Sequence, residues 1–458
     1  SRAEYATPDY LPYFYAQLRD LLTNYGEVFE VWFDGANGGD GYYGGAKDQR
    51  TIDRKNYYNY PYIFKMLDEI QPNAVVFGDG GPGCRWVGNE KGFAGETNWS
   101  FLRKGEVYPG YPRHTELTYG HADGNQWTAA ECDVSIRPGW FYHPEEDDKV
   151  KSPEQLVDLY YRSVGHNATF LLNFPVDRDG LIHPIDSANA IAYRNIIQRE
   201  LSNNLVAGMK ARVSSERGGQ FTAKALTDNS WDTYWATPDG VTTGDIEFRF
   251  KKPQRMNRIM IQEYIPLGQR VKKFSVEYLN NKGQWQTVEQ PEETTTIGYK
   301  RLLRFATVVS KGIRVRILDS RGPLCINNIG VYDGGKDAKL TWSKAAEDLK
   351  SLPFTIVKKG ADEVVIDLGE AKDITTLQYL PDQSEHRKGL VHTYSISTCD
   401  ANGNVQKTLK KDEFSNIQNN PILQTVTFPT VKTRYLKFKA ERMVKAGENM
   451  NYEALGVN

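Results

Sequence analysis

Two carboxylates stand where an apolar run gives way to glycine. Asp34 closes the run Val31-Trp32-Phe33 in EVWFDGANGG, and Glu90 sits in DGGPGCRWVGNEKG, beside Arg85 and Trp86 and just after the run NAVVFGD at 73–79. An isolated buried carboxylate costs on the order of several kcal/mol unless it is paired or hydrogen-bonded, so each position reads in one of two ways. It is a turn carboxylate that accepts backbone N–H bonds, or it is a group delivered by a strand to the mouth of a barrel. Two carboxyls on one rim are the minimum set for glycoside hydrolysis, about 5 Å apart for a retaining reaction and farther for an inverting one. Asp79, Glu96, Glu131 and Asp133 compete with them, and by position Glu96 ranks close behind Glu90.

Alternating helices and strands would position these groups. Residues 1–205 read as helix Tyr10–Tyr25 with Gly26 as its stop, strand Val28–Phe33, helix Tyr58–Ile70 and strand 73–79. Strand 132–136, helix Pro153–Val164, strand 169–175 and helix Ser187–Glu200 follow. Strands apolar on both faces, separated by helices, predict parallel pairing under a helical cover. The irregular pieces Gly35–Arg54, Gly78–Pro112 and Arg137–Lys151 follow strand C-termini, where a β/α barrel builds its active site.

Residues 206–335 change to short β-like runs, DIEFRF, RIMIQEYI, KKFSVEYL, RLLRFATV and GIRVRIL, divided by turn residues. That is the pattern of a β-sandwich. Residues 336–458 repeat it with EVVIDLG, TTLQYLPDQ, HTYSIS, LQTVTF and TRYLKFKA. Ile261–Pro266 echoes Leu377–Pro381, Phe274-Ser275-Val276 echoes Tyr394-Ser395-Ile396, and Gly312–Ile317 echoes Thr433–Phe438, so two related sandwiches in tandem are expected.

Composition sets the outer bounds. A chain of 458 residues holds two to four domains. Its net charge of -1 lacks the basic surplus of a nucleic-acid binder. No run approaches the roughly 20 apolar residues that span a bilayer, and the opening SRAEYATPDY lacks the apolar stretch of a signal peptide. An exported form is therefore expected to have shed its targeting segment. Cys84, Cys132, Cys325 and Cys399 are too scattered for a zinc knuckle or a disulfide scaffold. The 27 Tyr and 9 Trp suit sugar rings and large cores alike.

The series LRDLLTNYG, VWFDG, QPNAVVFGDGGPGCRWVGNE, SIRPGWFYH and LLNFPVDRDGLI, in that order over residues 10–186, resembles the family 29 α-L-fucosidases. Within them it is most similar to the branch acting on α-1,3/1,4-linked fucose. The resemblance implies a (β/α)8-type barrel and retaining hydrolysis of terminal fucose from a fucosylated oligosaccharide or glycoconjugate. Asp34 matches the nucleophile and Glu90 the acid/base, with Glu96 in second place, and no cofactor is needed for the chemical steps. Trp32, two residues before Asp34 and so on its side of a strand, lines the pocket or fills the barrel. Arg85 holds Glu90 or a substrate hydroxyl, Trp127 and Trp140 are candidate stacking platforms, and His143 is a candidate hydroxyl donor. In the family the nucleophile ends the fourth strand, so the barrel here is expected to be N-terminally incomplete. Its first half is then on another chain, removed, or lost. The segment Gly39–Arg54, long for this loop, is expected to reshape the entrance.

The tandem sandwiches resemble discoidin, or coagulation-factor type C, domains, on the strength of KALTDNSWDTYWAT at 224–237 followed by DIEFRF. That implies galactose-type glycans at loops of one end and a structural calcium ion near Asp228 and Asp232, with Trp231 and Trp235 serving packing. The expected protein is thus bacterial and secreted or periplasmic. It joins an incomplete α/β barrel (1–205) to a discoidin-like sandwich (206–335) and a second, more degenerate one (336–458). A non-catalytic glycan-binding or scaffold protein, or a glycosidase of different sugar specificity, are the alternatives.

Overall fold

In the computed structural model the chain divides into two compact units, residues 1–137 with 143–340, and residues 138–142 with 341–458. Every residue is described except 1, 35–37, 337–348, 384–387, 415–416 and 419–420, and of 38–40 the backbone alone. Part of the glycine run after Asp34 thus lies outside the described residues.

The first unit holds five parallel strands, hydrogen-bonded in sequence order: β1 (Glu30–Trp32), β2 (Val75–Gly78), β3 (Cys84–Trp86), β4 (Ala129–Ser135) and β5 (Ala168–Asn173). Helices α1 (Tyr10–Asn24), α2 (Tyr60–Ile70), α3 (Pro153–Ser163) and α4 (Pro184–Leu201) alternate with them. The apolar stripe of α1, Leu18 and Leu22 at i, i+4, packs with Ile63, Met66 and Leu67 of α2 and with Val76 of β2. Gly26, at φ +87°, takes the left-handed turn that stops α1. Ser152 and Gln155 form a reciprocal capping box at the start of α3, which buries Leu156 and Leu159 with Val134 and Ile136.

Because Val31, Val76 and Val134 face the helices, strand alternation turns Trp32, Phe77, Cys84, Trp86, Glu131 and Asp133 to the inner face. Register agrees: Trp32 lies opposite Phe77, Phe77 opposite Cys84, and Trp86 opposite Glu131. Among the described residues the sheet does not close, and β1 and β5 are its edges. Trp32 and Leu171, one on each edge strand, are 42% and 40% exposed, so the inner face is open to water there.

Two pieces expected to be irregular are ordered. β3 lies inside the 78–112 stretch and escapes notice because three residues are too few to show a period of two. After Asp34, Gly38–Tyr43 pairs antiparallel with Ala46–Thr51, and Tyr43 stacks on Tyr5 at 5.4 Å between ring centroids.

The rest of the first unit is a seven-stranded antiparallel sheet folded around one apolar core that includes Trp235, Phe248, Phe274 and Phe305. DIEFRF and RIMIQEYI belong to one strand, Gly244–Glu263, whose register shifts between Arg249 and Gln254. RLLRFATV and GIRVRIL likewise share Arg301–Ser320. The second unit places Gln424–Met443 between Glu363–Pro381 and Val391–Cys399, just as Arg301–Ser320 lies between Gly244–Glu263 and Val271–Leu279. The echoed runs pair in the equivalent ladder of each sandwich with registers two residues apart: Phe274 lies opposite Ile317, whereas Phe438 lies opposite Ile396 rather than Tyr394.

A buried polar seam joins the parallel sheet to the first sandwich. Arg301, 1% exposed, donates to the Glu292 carboxylate at 2.9 Å and to the Glu96 carbonyl at 2.6 Å. His166 lies 3.0 Å from the same carboxylate through Nε2 and 3.0 Å from the Ala94 carbonyl through Nδ1. Removing one partner of a buried charge pair typically costs about 3–5 kcal/mol. Glu292→Gln is therefore expected to lower the unfolding free energy of the first unit by about that amount, measured by urea denaturation. An unchanged midpoint would show that the seam carries no stability.

Candidate active site

Asp34 follows the C-terminal end of β1 by two residues and is exposed. Tyr60 at the start of α2 and Asp79 just after β2 lie within its electrostatic reach. Asp79 is 8% exposed and accepts the Gly110 N–H at 2.6 Å. Burial raises its carboxyl above the usual range, and the charge of Asp34 adds to the effect. Asp79 therefore answers to the turn-carboxylate reading.

Glu90 is half-buried four residues beyond β3, in a loop whose backbone is set by close contacts. The Val87 N–H donates to the Glu131 carbonyl at 3.1 Å, continuing the β3–β4 ladder. Asn89, 2% exposed, accepts the Lys91 N–H at 3.0 Å and donates to the Phe93 carbonyl at 3.1 Å. At Gly88, φ +81°, a Cβ would fall 2.0 Å from the His114 carbonyl oxygen, and at Gly92, φ +83°, 2.8 Å from Val134. Side chains are thus excluded on both flanks of Glu90.

Beneath the loop, Trp86 Nε1 donates to Asp133 Oδ1 at 2.9 Å. Asp133 is 2% exposed, and its carboxyl is pushed up to about 8, first by burial and then by the charge of Glu90. By position in the sequence Asp133 competes with Glu90, whereas the structure buries it under the Trp86 indole, within the electrostatic reach of Glu90. Only the pairing of β3 with β4 brings the two together.

The remaining expectations divide. Glu96 is engaged by the first sandwich, its carboxylate accepting the Glu293 N–H at 2.7 Å. Arg85 is completely buried on the helix side of β3 and donates to the carbonyls of Leu117 (2.9 Å) and Thr128 (2.6 Å) and to Asn98 Oδ1 (2.7 Å). A strand-borne neighbour of Trp86 must face the opposite way, so Arg85 does not reach Glu90 or a substrate hydroxyl. Trp127 precedes β4 and lies toward the N-terminal end of the sheet, edge-on to Phe101 at 5.2 Å, whereas Asp34 and Glu90 follow C-terminal ends. His143 is exposed beyond the C-terminal end of β4, with its carbonyl held by Arg137 at 3.4 Å. Trp140 falls in the 138–142 segment, which groups with the second unit. Trp32 stays on the inner face, stacked at 4.4 Å and 5° on Phe77.

Two further places gather groups that could hold an ion. Glu30, Cys84 and Glu131 converge on the inner face. Hydrogen bonds already engage them, from the Cys84 thiol to Glu30 at 3.6 Å and from the Thr169 hydroxyl to Glu131 at 2.9 Å, and burial pushes the thiol up. In the sandwich, Asp228 caps its own turn, accepting from the Ser230 N–H at 3.0 Å and the Thr233 hydroxyl at 2.8 Å. Among the described residues Asp228 and Asp232 belong to no cluster of three ligating side chains, so side chains alone do not make the implied calcium cage. Trp235 is fully buried as expected of packing, but Trp231 is 68% exposed.

The model of the α-L-fucosidase family matches residues 1–192, and that of the F5/8 type C domain matches residues 210–331 and 327–453. A solved glycoside hydrolase 29 family member from an unknown rumen bacterium is 39% identical over 100% of this chain and 77% of its own, with a TM-score of 0.64. The chain belongs to glycoside hydrolase family 29. A Ruminococcus gnavus family 29 fucosidase, solved in complex with fucose, is 32% identical over 72% of this chain and 66% of its own, with a TM-score of 0.60. Alpha-L-fucosidase 1 of Arabidopsis thaliana is 37% identical over 71% of this chain. This family 29 chain spans 60% and 62% of the length of its curated relatives from Oryza sativa subsp. japonica and Arabidopsis thaliana.

The position of Asp133 gives a sign to its pH dependence. A carboxyl raised on folding binds its proton more tightly in the folded state, so its stabilising contribution is full below about pH 4. That contribution is lost as pH rises to about 8. Asp133→Asn should therefore gain on the parent between roughly pH 5 and 8, seen as a widening gap between denaturation midpoints. Parallel pH profiles would overturn the assignment.

Proposed function

We propose that this chain carries the two catalytic carboxylates of a retaining exo-α-L-fucosidase acting on terminal α-1,3/1,4-linked fucose. The observation that carries the reading is the placement of an exposed Asp34 after β1 and a half-buried Glu90 after β3, both past the C-terminal ends of one parallel sheet in a family 29 chain. Asp34 attacks the anomeric carbon as the glycosidic C–O bond breaks, and Glu90 gives its proton to the departing oxygen. Water then loses a proton to Glu90 and displaces Asp34 from the fucosyl ester, restoring both groups. Trp32, stacked and 42% exposed two residues before Asp34, offers a rigid apolar surface to the methyl-bearing face of fucose.

The partner of this site is a fucosylated oligosaccharide or glycoconjugate. A secreted or periplasmic setting suits that substrate, and the loops of the sandwiches are its proposed secondary contacts with galactose-type sugars. A polypeptide that adds parallel strands at the open edges of β1 and β5 is a second partner in this reading. The alternative is a non-catalytic glycan-binding protein, in which the sandwiches hold sugar and the carboxylates do no chemistry.

Hydrolysis of an activated aryl α-L-fucoside and of a Lewis-type trisaccharide separates the two. The enzyme reading expects turnover that disappears in Asp34→Asn, and release of fucose first as the α-anomer by NMR. Glu90→Gln should lose about 10²–10⁴-fold on the trisaccharide and far less on the aryl fucoside, whose leaving group needs no proton. Glycan binding without turnover would favour the non-catalytic alternative, and turnover surviving in Asp34→Asn would remove the nucleophile assignment.

A further inference from the structure

Glu30, Cys84 and Glu131 form a group that the two-carboxylate scheme leaves unused. They come from β1, β3 and β4, and their ligating atoms all lie within 4.8 Å of one another on the inner face. The Cys84 thiol donates to Glu30 Oε1 at 3.6 Å across the intervening strand β2. Glu131 is 8% exposed. The hydroxyl of Thr169, its partner on β5, donates to Oε2 at 2.9 Å, and Oε1 is left buried with no hydrogen-bond partner. The Trp32 indole faces the same carboxylate without bonding to Oε1. Among the described residues no Lys, Arg or His makes an ion pair with Glu30 or Glu131. An acceptor out of water without a donor is costly, and a second carboxylate close by makes it costlier. A bound cation relieves both.

We propose that Glu30, Cys84 and Glu131 hold one divalent cation of the zinc class, with water at the fourth position. A thiolate beside two carboxylates suits a borderline-soft ion, whereas calcium and magnesium take oxygen alone. Around a tetrahedral zinc, with Zn–S about 2.3 Å and Zn–O about 2.1 Å, such ligand atoms stand roughly 3.4–3.6 Å apart. The Cys84–Glu30 contact already has that span, and the widest separation in the trio must close by roughly 1.3 Å at most. Thr169 is the outer partner, fixing the Glu131 carboxylate through Oε2 and leaving Oε1 for the ion. Glu30, half-buried on the edge strand β1, gives the ion its way in from solvent. Burial raises the Cys84 thiol, so the ion displaces a proton to solvent as the metal–sulfur bond forms, with no change of oxidation state. Such an ion ties β1 to β3 and β4 and takes no part in the chemistry assigned to Asp34 and Glu90. The proposal therefore stands apart from the fucosidase reading.

Titration of the full chain with Co²⁺, after treatment with a chelator, tests this without turnover. Cobalt occupies zinc sites, and a cobalt–thiolate bond absorbs in the near ultraviolet. The band should saturate at one ion per chain, yield to Zn²⁺ but not to excess Ca²⁺, and form more tightly as pH rises, because a proton is released. Cys84→Ser should abolish it, whereas Cys325→Ser and Cys399→Ser should leave it unchanged. Glu131→Gln, which keeps the shape of the side chain, should weaken Co²⁺ binding at least 10-fold, and Thr169→Val by about 10–100-fold. Absence of a thiolate band in the parent protein would overturn the proposal, and that result depends on no variant folding. A band that survives Cys84→Ser would overturn it too, as would undiminished affinity in Glu131→Gln, which would leave two acids sharing a proton.

Discussion

A guanidinium is costly to take out of water, and Arg85 is completely buried with its hydrogen bonds going to carbonyl oxygens rather than to a carboxylate. Burial lowers its pKa to about 10, which leaves it charged at neutral pH. The acceptors come from three places: the turn at Leu117, the residue before β4, and the side chain of Asn98. Fixing them fixes β3 beside β4. Asn98 carries the constraint onward, donating to the carbonyls of His166 and Asn167 and accepting from Gln269 of the sandwich at 2.8 Å. The segment bearing Glu90 is strung between these anchors, so its geometry is inherited from a cation wholly out of water.

The carboxylates follow a simple division. Near Asp34 lies the buried Asp79, and near Glu90 lies the buried Asp133, so each rim group has a sheltered neighbour raised above the usual range. The sheltered members are held by N–H donors, a backbone amide for Asp79 and an indole for Asp133. Environment rather than residue type thus separates groups of identical chemistry.

Much of this was legible in the sequence. The helix and strand alternation of residues 10–201 and the tandem echo of the sandwiches emerge as real elements because their apolar periods are long enough to read. Asp34 stands out in the sequence because a charge closing an apolar run needs a reason, and the structure sets it two residues past β1. What was illegible depended on short or non-local pairing. The strand Cys84–Trp86 is three residues long, and without it Arg85 and Trp86 cannot be assigned to opposite faces. Glu96 resembled Glu90 until its contact with Glu293, 197 residues away, was seen. Trp127 required the direction of β4, and the nearness of Asp133 to Glu90 required its register with β3. Pairing of this kind lies in the third dimension, and local pattern carries no trace of it.

The seam of Asn98, Asn167, His166, Glu292 and Arg301 has a consequence for any ligand that the first sandwich would hold. Binding modules hung on flexible linkers raise local concentration by sweeping a volume set by linker length. This one is grafted onto the sheet by buried hydrogen bonds and sweeps nothing. On the proposed reading, a glycan held by its loops would stand at one fixed distance and angle from Asp34, so the spacing between branches on the glycan, rather than reach, would decide whether a captured chain is also a cleavable one. The sandwich is in that sense a ruler rather than a leash.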